Sequence, residues 1–187
     1  VDGVSWRIIL EDVEACYAEL RSGREPALPV PTASLKAWSQ ALATYARQGA
    51  VEAEREWWTR AAAPAPRLPR DHHGPNLEST VRSEVRTLDG ATTAAMLSEA
   101  HRAYGTHIND LLLAALGRAV SHWSGSAETC LDLQGHAREE ISNVVDVSRT
   151  VGWFTTIFPV RLTLPPGSSL ESAIPAVKDQ LRAIPRN

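Results

Sequence analysis

A cluster of polar residues between positions 134 and 139 is the part of this sequence best suited to chemistry. It reads Gln134-Gly135-His136-Ala137-Arg138-Glu139. The segment before it favours a short strand, Gly135 permits a tight turn, and polar groups at strand ends commonly form sites. Histidine is able to act as an acid or a base near neutral pH. The alternative is structural, with His136 and Arg138 anchoring the turn and pairing with Glu139 or Glu140.

A second run, fifteen residues further on, favours binding. It reads Arg149-Thr150-Val151-Gly152-Trp153-Phe154-Thr155-Thr156-Ile157-Phe158-Pro159. A permissive Gly152 precedes two large aromatic side chains, Trp153 and Phe154, and then the hydroxyl of Thr155. This order suits the wall of a tunnel for an elongated substrate arm. A buried strand with a bulge at Gly152 is the equally supported alternative.

Composition and motifs exclude several other classes of protein. The chain has 187 residues, 43% of them hydrophobic, and a net charge of -3. That charge argues against a nucleic-acid or anionic-membrane partner, and no apolar run approaches the roughly 20 residues of a membrane span. Two cysteines without a framework indicate a reduced, cytoplasmic setting. The histidines show no zinc-ligand spacing, so no metal site is expected, and His72-His73 is interpreted as a solvated loop pair.

The first 75 residues predict three helices. Asp2 or Ser5 caps the first, which Gly23 ends, and residues 24–33 form a loop. Ser34 caps the second helix, and the third covers about residues 51–62. Prolines between positions 64 and 69 then predict an extended linker.

The later residues alternate between strand and helix patterns. We expect strands over 79–88, 128–133 and 160–164, and helices over 91–104, 111–123 and from Ser168 or Ser169 to about 183. Asn109 or Asp110 is the expected cap of the helix that ends at Gly125. The fold class is therefore α/β. No Gly-rich phosphate loop occurs at any strand–helix junction, so a nucleotide-binding fold is not supported.

Four stretches, in the right order, resemble the epimerization domains of nonribosomal peptide synthetases, within the condensation-domain superfamily. They are residues 1–8, 109–117, 134–139 and 149–159. The first is similar to the end of the family's His-His-x-x-x-Asp-Gly motif, with Asp2 and Gly3, and to the helix behind it. The last distinguishes epimerization domains from peptide-forming condensation domains.

The resemblance implies part of a two-lobe fold like that of chloramphenicol acetyltransferase, with a tunnel between the lobes. Residues 1–75 would supply the helical part of the N-terminal lobe and the linker, and residues 76–187 the start of the C-terminal lobe. The chain is expected to begin just after the family's His-His pair. The implied structural residues are Asp2, Gly3, Gly135, Arg138, Glu139 and Arg149. The implied tunnel residues are Gly152, Trp153, Phe154 and Thr155.

The family reaction converts an aminoacyl or peptidyl thioester from L to D. No directly bound cofactor is implied, because the substrate hangs on the phosphopantetheine of a partner peptidyl carrier protein, beside neighbouring synthetase modules. The proton-handling pair is the second histidine of His-His and the first glutamate of Glu-Gly-His-Gly-Arg-Glu. Gln134 replaces that glutamate here.

The replacement predicts that this chain alone has no epimerase activity. A carboxamide has no useful basicity, and losing a positioned acid or base typically costs about 10²–10⁴-fold in rate. Compensation by His136, Glu139 or Glu140 stays open. So do two other functions: a degenerate domain that docks a carrier protein without doing chemistry, and a peptide-bond-forming condensation domain. Exposed strand edges and apolar faces also predict that the isolated chain aggregates.

Overall fold

The computed structural model describes residues 1–75, 77–136, 138 and 145–185. Three helices come first: α1 (Gly3–Arg21), α2 (Leu35–Tyr45) and α3 (Gly49–Ala61). The Asp2 carboxylate accepts a hydrogen bond from the Ser5 amide and begins α1, and the Ser34 hydroxyl accepts one from the Ala37 amide and begins α2. The two predicted caps are confirmed. Each accepts a hydrogen bond from an amide that the helix itself leaves unpaired.

The strand predicted over residues 79–88 is wrong. Residues Glu78–Thr80 form a short 3₁₀ turn, and residues 81–89 adopt neither helix nor strand. Val81 and Val85, the two valines of this segment, are exposed. Alternating valines and charged residues fit a pleated surface, but a strand also needs a neighbouring strand to take its backbone hydrogen bonds, and no described strand pairs with this segment.

Three further helices follow: α4 (Gly90–Tyr104), α5 (Ile108–Ser124) and α6 (Leu170–Arg182). Ser169 caps α6, and α5 ends at Gly125, whose φ of 69° lies in the left-handed region, both as predicted. The expected cap of α5 is wrong. Residue His107 occupies the cap position, and Asp110 lies inside the first turn. The Asp110 carboxylate accepts a hydrogen bond from the His107 amide at 2.8 Å.

The two strands, β1 (Glu128–His136) and β2 (Thr155–Thr163), pair with each other. The Leu164 amide bonds the Ala127 carbonyl just beyond one end, and Gly135 lies beside Thr156 near the other, so the strands are antiparallel. Both are longer than predicted. Gln134 and His136 therefore belong to β1 and not to a turn after it, because the paired strand continues the hydrogen-bonded ladder.

The described residues divide into two compact units. One comprises residues 1–60 and 132–158, and the other comprises residues 61–131 and 159–185. In the second unit α5 packs against α6, and the shared core is aliphatic. That core includes Leu111, Leu113, Ala114, Leu162, Leu164, Ala173, Ile174, Val177 and Leu181. The division of the chain into lobes at residues 75 and 76 stays a prediction.

One face of α1 carries an exposed apolar stripe. Its members recur every three or four residues and are each more than half exposed: Trp6, Leu10, Val13, Tyr17 and Leu20. Apolar residues at this spacing form one continuous surface along a helix. None of the described helices combines the length and apolarity needed to cross a membrane.

We expect this stripe to drive self-association of the isolated chain, because contiguous exposed apolar surface promotes it. Leu10→Glu combined with Tyr17→Glu should shift the chain toward monomer in analytical ultracentrifugation. Ala18→Glu, on α1 outside the stripe, is the control and should leave association unchanged. A natural chain that is already monomeric at high concentration would contradict the prediction.

Candidate functional site

The Arg138 side chain is the centre of a buried polar network in the first unit. Its Nη1 donates to the backbone oxygens of Val147 at 2.9 Å and Thr150 at 2.8 Å. Its Nη2 donates to Asp2 Oδ1 at 3.1 Å and to Ser5 Oγ at 2.9 Å. The Arg138 and Asp2 side chains are only 9% and 6% exposed. This network joins the start of α1 to the segment that precedes β2.

Both oxygens of the Asp2 carboxylate accept hydrogen bonds within the fold, from Ser5, Arg138 and Phe154. Burial by itself would raise the pKa of Asp2. Hydrogen bonds from Ser5, from the Phe154 amide at 3.0 Å and from Arg138 outweigh burial and hold this pKa far below its usual value. Asp2 is therefore ionised across the physiological pH range and cannot exchange protons with a substrate there.

Ser5 and Gly152 hold the two segments at close range. Ser5 Oγ donates to the Gly152 oxygen at 2.9 Å and accepts from the Gly152 amide at 3.0 Å. The Asp2 amide donates to the same Gly152 oxygen at 3.1 Å. A Cβ at position 152 would lie 2.9 Å from Leu35 Cδ1 and 3.0 Å from Phe154 Cε2. A side chain at position 152 would therefore force Leu35 or Phe154 to shift. The alternative of a strand bulge at Gly152 is wrong because β2 begins only at Thr155.

Phe154 packs inside this unit. Its side chain is 1% exposed. Its ring lies 4.1 Å from Arg138 Cζ and meets the Trp38 ring edge-on at 5.1 Å. An arginine over an aromatic face is stabilised by the ring's quadrupole, so the Phe154 ring supports the Arg138 guanidinium. The Phe154 amide binds the Asp2 carboxylate that pairs with this guanidinium.

Arg149 ties the same segment to the next turns of α1. Its guanidinium pairs with Glu11 at 3.2 Å and also with Asp12. The Arg149 amide donates to the Thr32 hydroxyl at 3.3 Å. These contacts give Arg149 a structural position outside the cleft described next.

An open cleft lies at the start of α1, beside the ends of β1 and β2 that meet there. Eight residues line it: Asp2, Gly3, Val4, Arg7, Gln134, Gly135, His136 and Thr155. Side chains alternate along a strand, so Gln134 and His136 project from one face of β1. Gly135 belongs to the opposite face, where a Cβ would lie 3.0 Å from Thr156 Oγ1. Antiparallel register places Thr155 opposite His136.

The cleft unites some of the sequence-predicted residues and separates others. Asp2, Gly3, Gln134, His136 and Thr155 come together from three distant parts of the sequence. The described lining of the cleft does not include Gly152, Trp153 or Phe154. The Trp153 side chain is 65% exposed. A tunnel role for these three stays a prediction, and Glu139 lies outside the described residues.

Sequence reasoning missed two residues of this region. The sequence predicts Ser5 only as a helix cap, and no motif points to Arg7. The signal available for Arg7 was its position three residues after Val4, which places both on one face of α1. Within the described residues, no group of three or more His, Cys, Asp or Glu side chains is arranged to hold a metal ion.

The fold is that of a known class of protein. The sequence profile described as Condensation domain matches residues 1–187, and the chain therefore belongs to the condensation-domain family. The sequence-based assignment to this superfamily and to its α/β fold is confirmed.

Three relatives illustrate the match. Chondramide synthase cmdD from Chondromyces crocatus is 47% identical over 191 residues, which cover 99% of this chain and 5% of that synthase. The epimerization domain from the third module of tyrocidine synthetase B aligns with a TM-score of 0.86 at 36% identity, over 100% of this chain and 42% of that one.

The first condensation domain of the calcium-dependent antibiotic synthetase aligns with a TM-score of 0.74 at 20% identity. It matches over 97% of this chain and 39% of its own chain, and at that identity the likeness shows the fold alone. The chain thus spans less than half of each relative described here.

We expect Asp2→Asn to destabilise the protein by about 3–5 kcal/mol at neutral pH, because it leaves Arg138 buried without a counter-charge. The folded pKa of Asp2 is lowered, so its stabilisation is fully present above the unfolded value of about 3.9 and is lost as the pH falls toward the folded value. Urea unfolding between pH 7 and pH 2.5 should show this loss in the natural chain. The Asp2→Asn variant should not show this loss of stability as the pH falls. Asp132→Asn, at an exposed position, should behave like the natural chain.

Gly152→Ala should cost about 1–3 kcal/mol, because the added methyl group overlaps Leu35 and Phe154. Gly49→Ala is the control for a methyl group added in open space, since beyond its chain neighbours and its own helix backbone no atom lies within 4 Å of the added Cβ. Chemical denaturation of both variants measures the difference. A denaturation midpoint of Gly152→Ala equal to that of the natural chain would show that Leu35 and Phe154 move aside without cost.

Proposed function

We propose that the chain is part of an epimerization domain that acts on a carrier-bound aminoacyl or peptidyl thioester. The observation that carries the proposal is the cleft, which brings Gln134 and His136 beside Asp2 and Gly3. The 36% identity to a solved epimerization domain supports it further. The partner would be a peptidyl carrier protein within a nonribosomal peptide synthetase, and its phosphopantetheine would present the substrate as a thioester.

Inversion at an α-carbon needs two proton-handling groups on opposite faces of the substrate. Gln134 occupies the position of one of them and cannot take a proton. Asp2 is held as an anion by Arg138 and the backbone, and arginine stays protonated at any physiological pH. Among the described side chains that line the cleft, His136 is then the remaining candidate for proton exchange. We therefore propose a weak or absent epimerase activity, with any residual proton transfer assigned to His136.

The second candidate is a degenerate domain that docks a carrier protein without doing chemistry. Gln134 is the observation that favours it, because the substitution removes a base and leaves the Arg138 network intact. A peptide-bond-forming condensation domain is not favoured. The tyrocidine synthetase epimerization domain is 36% identical, and the solved condensation domain described above is 20% identical.

Gln134→Glu should raise the epimerization rate by about 10²–10⁴-fold in the complete domain that contains this chain, because it restores a carboxylate to the cleft. The measurement is the D-to-L ratio of a carrier-bound substrate over time, together with solvent deuterium incorporation at the α-carbon. Gln48→Glu, an exposed site away from the cleft, is the matched control and should change nothing.

Three outcomes distinguish an active epimerization domain from a degenerate domain that only docks a carrier protein. Activity that appears only with Gln134→Glu supports a degenerate natural domain. Equal activity of the natural and restored proteins would show that position 134 is not the base, and loss of that activity in His136→Asn would assign the proton transfer to His136. Carrier binding without epimerization in any variant would favour docking as the function.

A further inference from the structure

Arg7 is the cation of the cleft that no described carboxylate neutralises. It follows Val4 by three residues on α1, lines the cleft with Gln134 and His136, and is exposed. Within the described residues its guanidinium takes part in none of the ion pairs. A guanidinium offers five N–H donors in a rigid fork, so Arg7 has hydrogen-bonding capacity directed at no described partner.

The nearby carboxylates are already occupied by other arginines. Asp2 is bound by Arg138, and the next acidic residues along α1, Glu11 and Asp12, are bound by Arg149. A glutamate at position 134 would have brought a negative charge into the cleft with Arg7. With Gln134 in its place, the described lining carries a positive charge that lacks a negative counterpart.

We infer that Arg7 binds a carboxylate on the acyl group of the carrier-bound substrate, so that the cleft prefers acidic acyl groups. This inference rests on the proposed function, because it assumes that a thioester enters the cleft. A single guanidinium matches a single carboxylate in charge and in bidentate geometry. The pair would be partly exposed to water, so the expected preference is modest, about three- to fivefold in Kd.

The test compares two probes that differ by one charge. Glutaryl-pantetheine carries a free carboxylate, and glutaramyl-pantetheine carries the neutral amide of the same shape, with the same arm. Their Kd values are measured by isothermal titration calorimetry on the complete domain that contains this chain. We expect the carboxylate probe to bind about three- to fivefold more tightly, and we expect Arg7→Gln to remove that difference.

Arg21→Gln is the matched control, because it removes an exposed arginine from the same helix about 21 Å along its axis. It should keep the full preference, and Gln134→Glu should reduce it by adding a competing carboxylate. Neither Arg7 nor Arg21 is buried, so both variants should fold, and circular dichroism checks that they do.

The outcomes distinguish this inference from the proposed function. Equal Kd values for the two probes in the natural protein, or a preference that survives Arg7→Gln, would overturn the role of Arg7 while leaving thioester binding in place. Loss of the preference in Arg21→Gln as well would show an effect of overall charge and would also overturn it. Failure of both probes to bind any variant would reject thioester binding itself, and with it both proposals.

Discussion

The buried ion pair between Asp2 and Arg138 is the constraint on which the first unit depends. A buried charge is costly unless a partner and further hydrogen bonds compensate it, and in the Arg138 guanidinium only Nε lacks a partner among the described residues. Here the start of α1 supplies the carboxylate, the segment before β2 supplies backbone oxygens, and Phe154 supplies an aromatic face. The start of α1, the segment before β2 and Arg138, which follows β1, must therefore meet in one arrangement. That arrangement also fixes where the ends of β1 and β2 lie relative to α1, and so creates the cleft.

The same pair divides the cleft into structural and chemical parts. Asp2 lines the cleft, yet its lowered pKa and its full set of hydrogen bonds commit it to the fold. The side chains of Gln134 and His136 lie on the exposed strand face. Among the described contacts, Arg138 meets this pair only through the backbone, where its amide donates to the His136 oxygen at 2.7 Å. A substitution at position 134 therefore changes the chemistry open to the cleft without disturbing the network beneath it. This separation is consistent with the proposal that position 134 changes the chemistry of the cleft and leaves the fold in place.

The helices were predictable because their determinants are local. Asp2, Ser34 and Ser169 cap the helices that follow them, and Gly125 ends α5, each through contacts within a few residues. Strand limits depend on a distant partner, and that is why β1 and β2 exceeded their predicted lengths and the strand over 79–88 was wrong. The motif predicted Gln134 and His136 at a site. It did not predict Arg7 or the double contact of Ser5 with Gly152, because these follow from which helix face meets the strands.

Helix α1 presents three faces that meet different surroundings. One face is buried through Ser5 and Ile8, a second directs Arg7 to the cleft, and a third exposes the stripe from Trp6 to Leu20. All three faces belong to one helix, so the element that exposes the stripe is also the one whose start carries Asp2 and whose first turns carry Arg7.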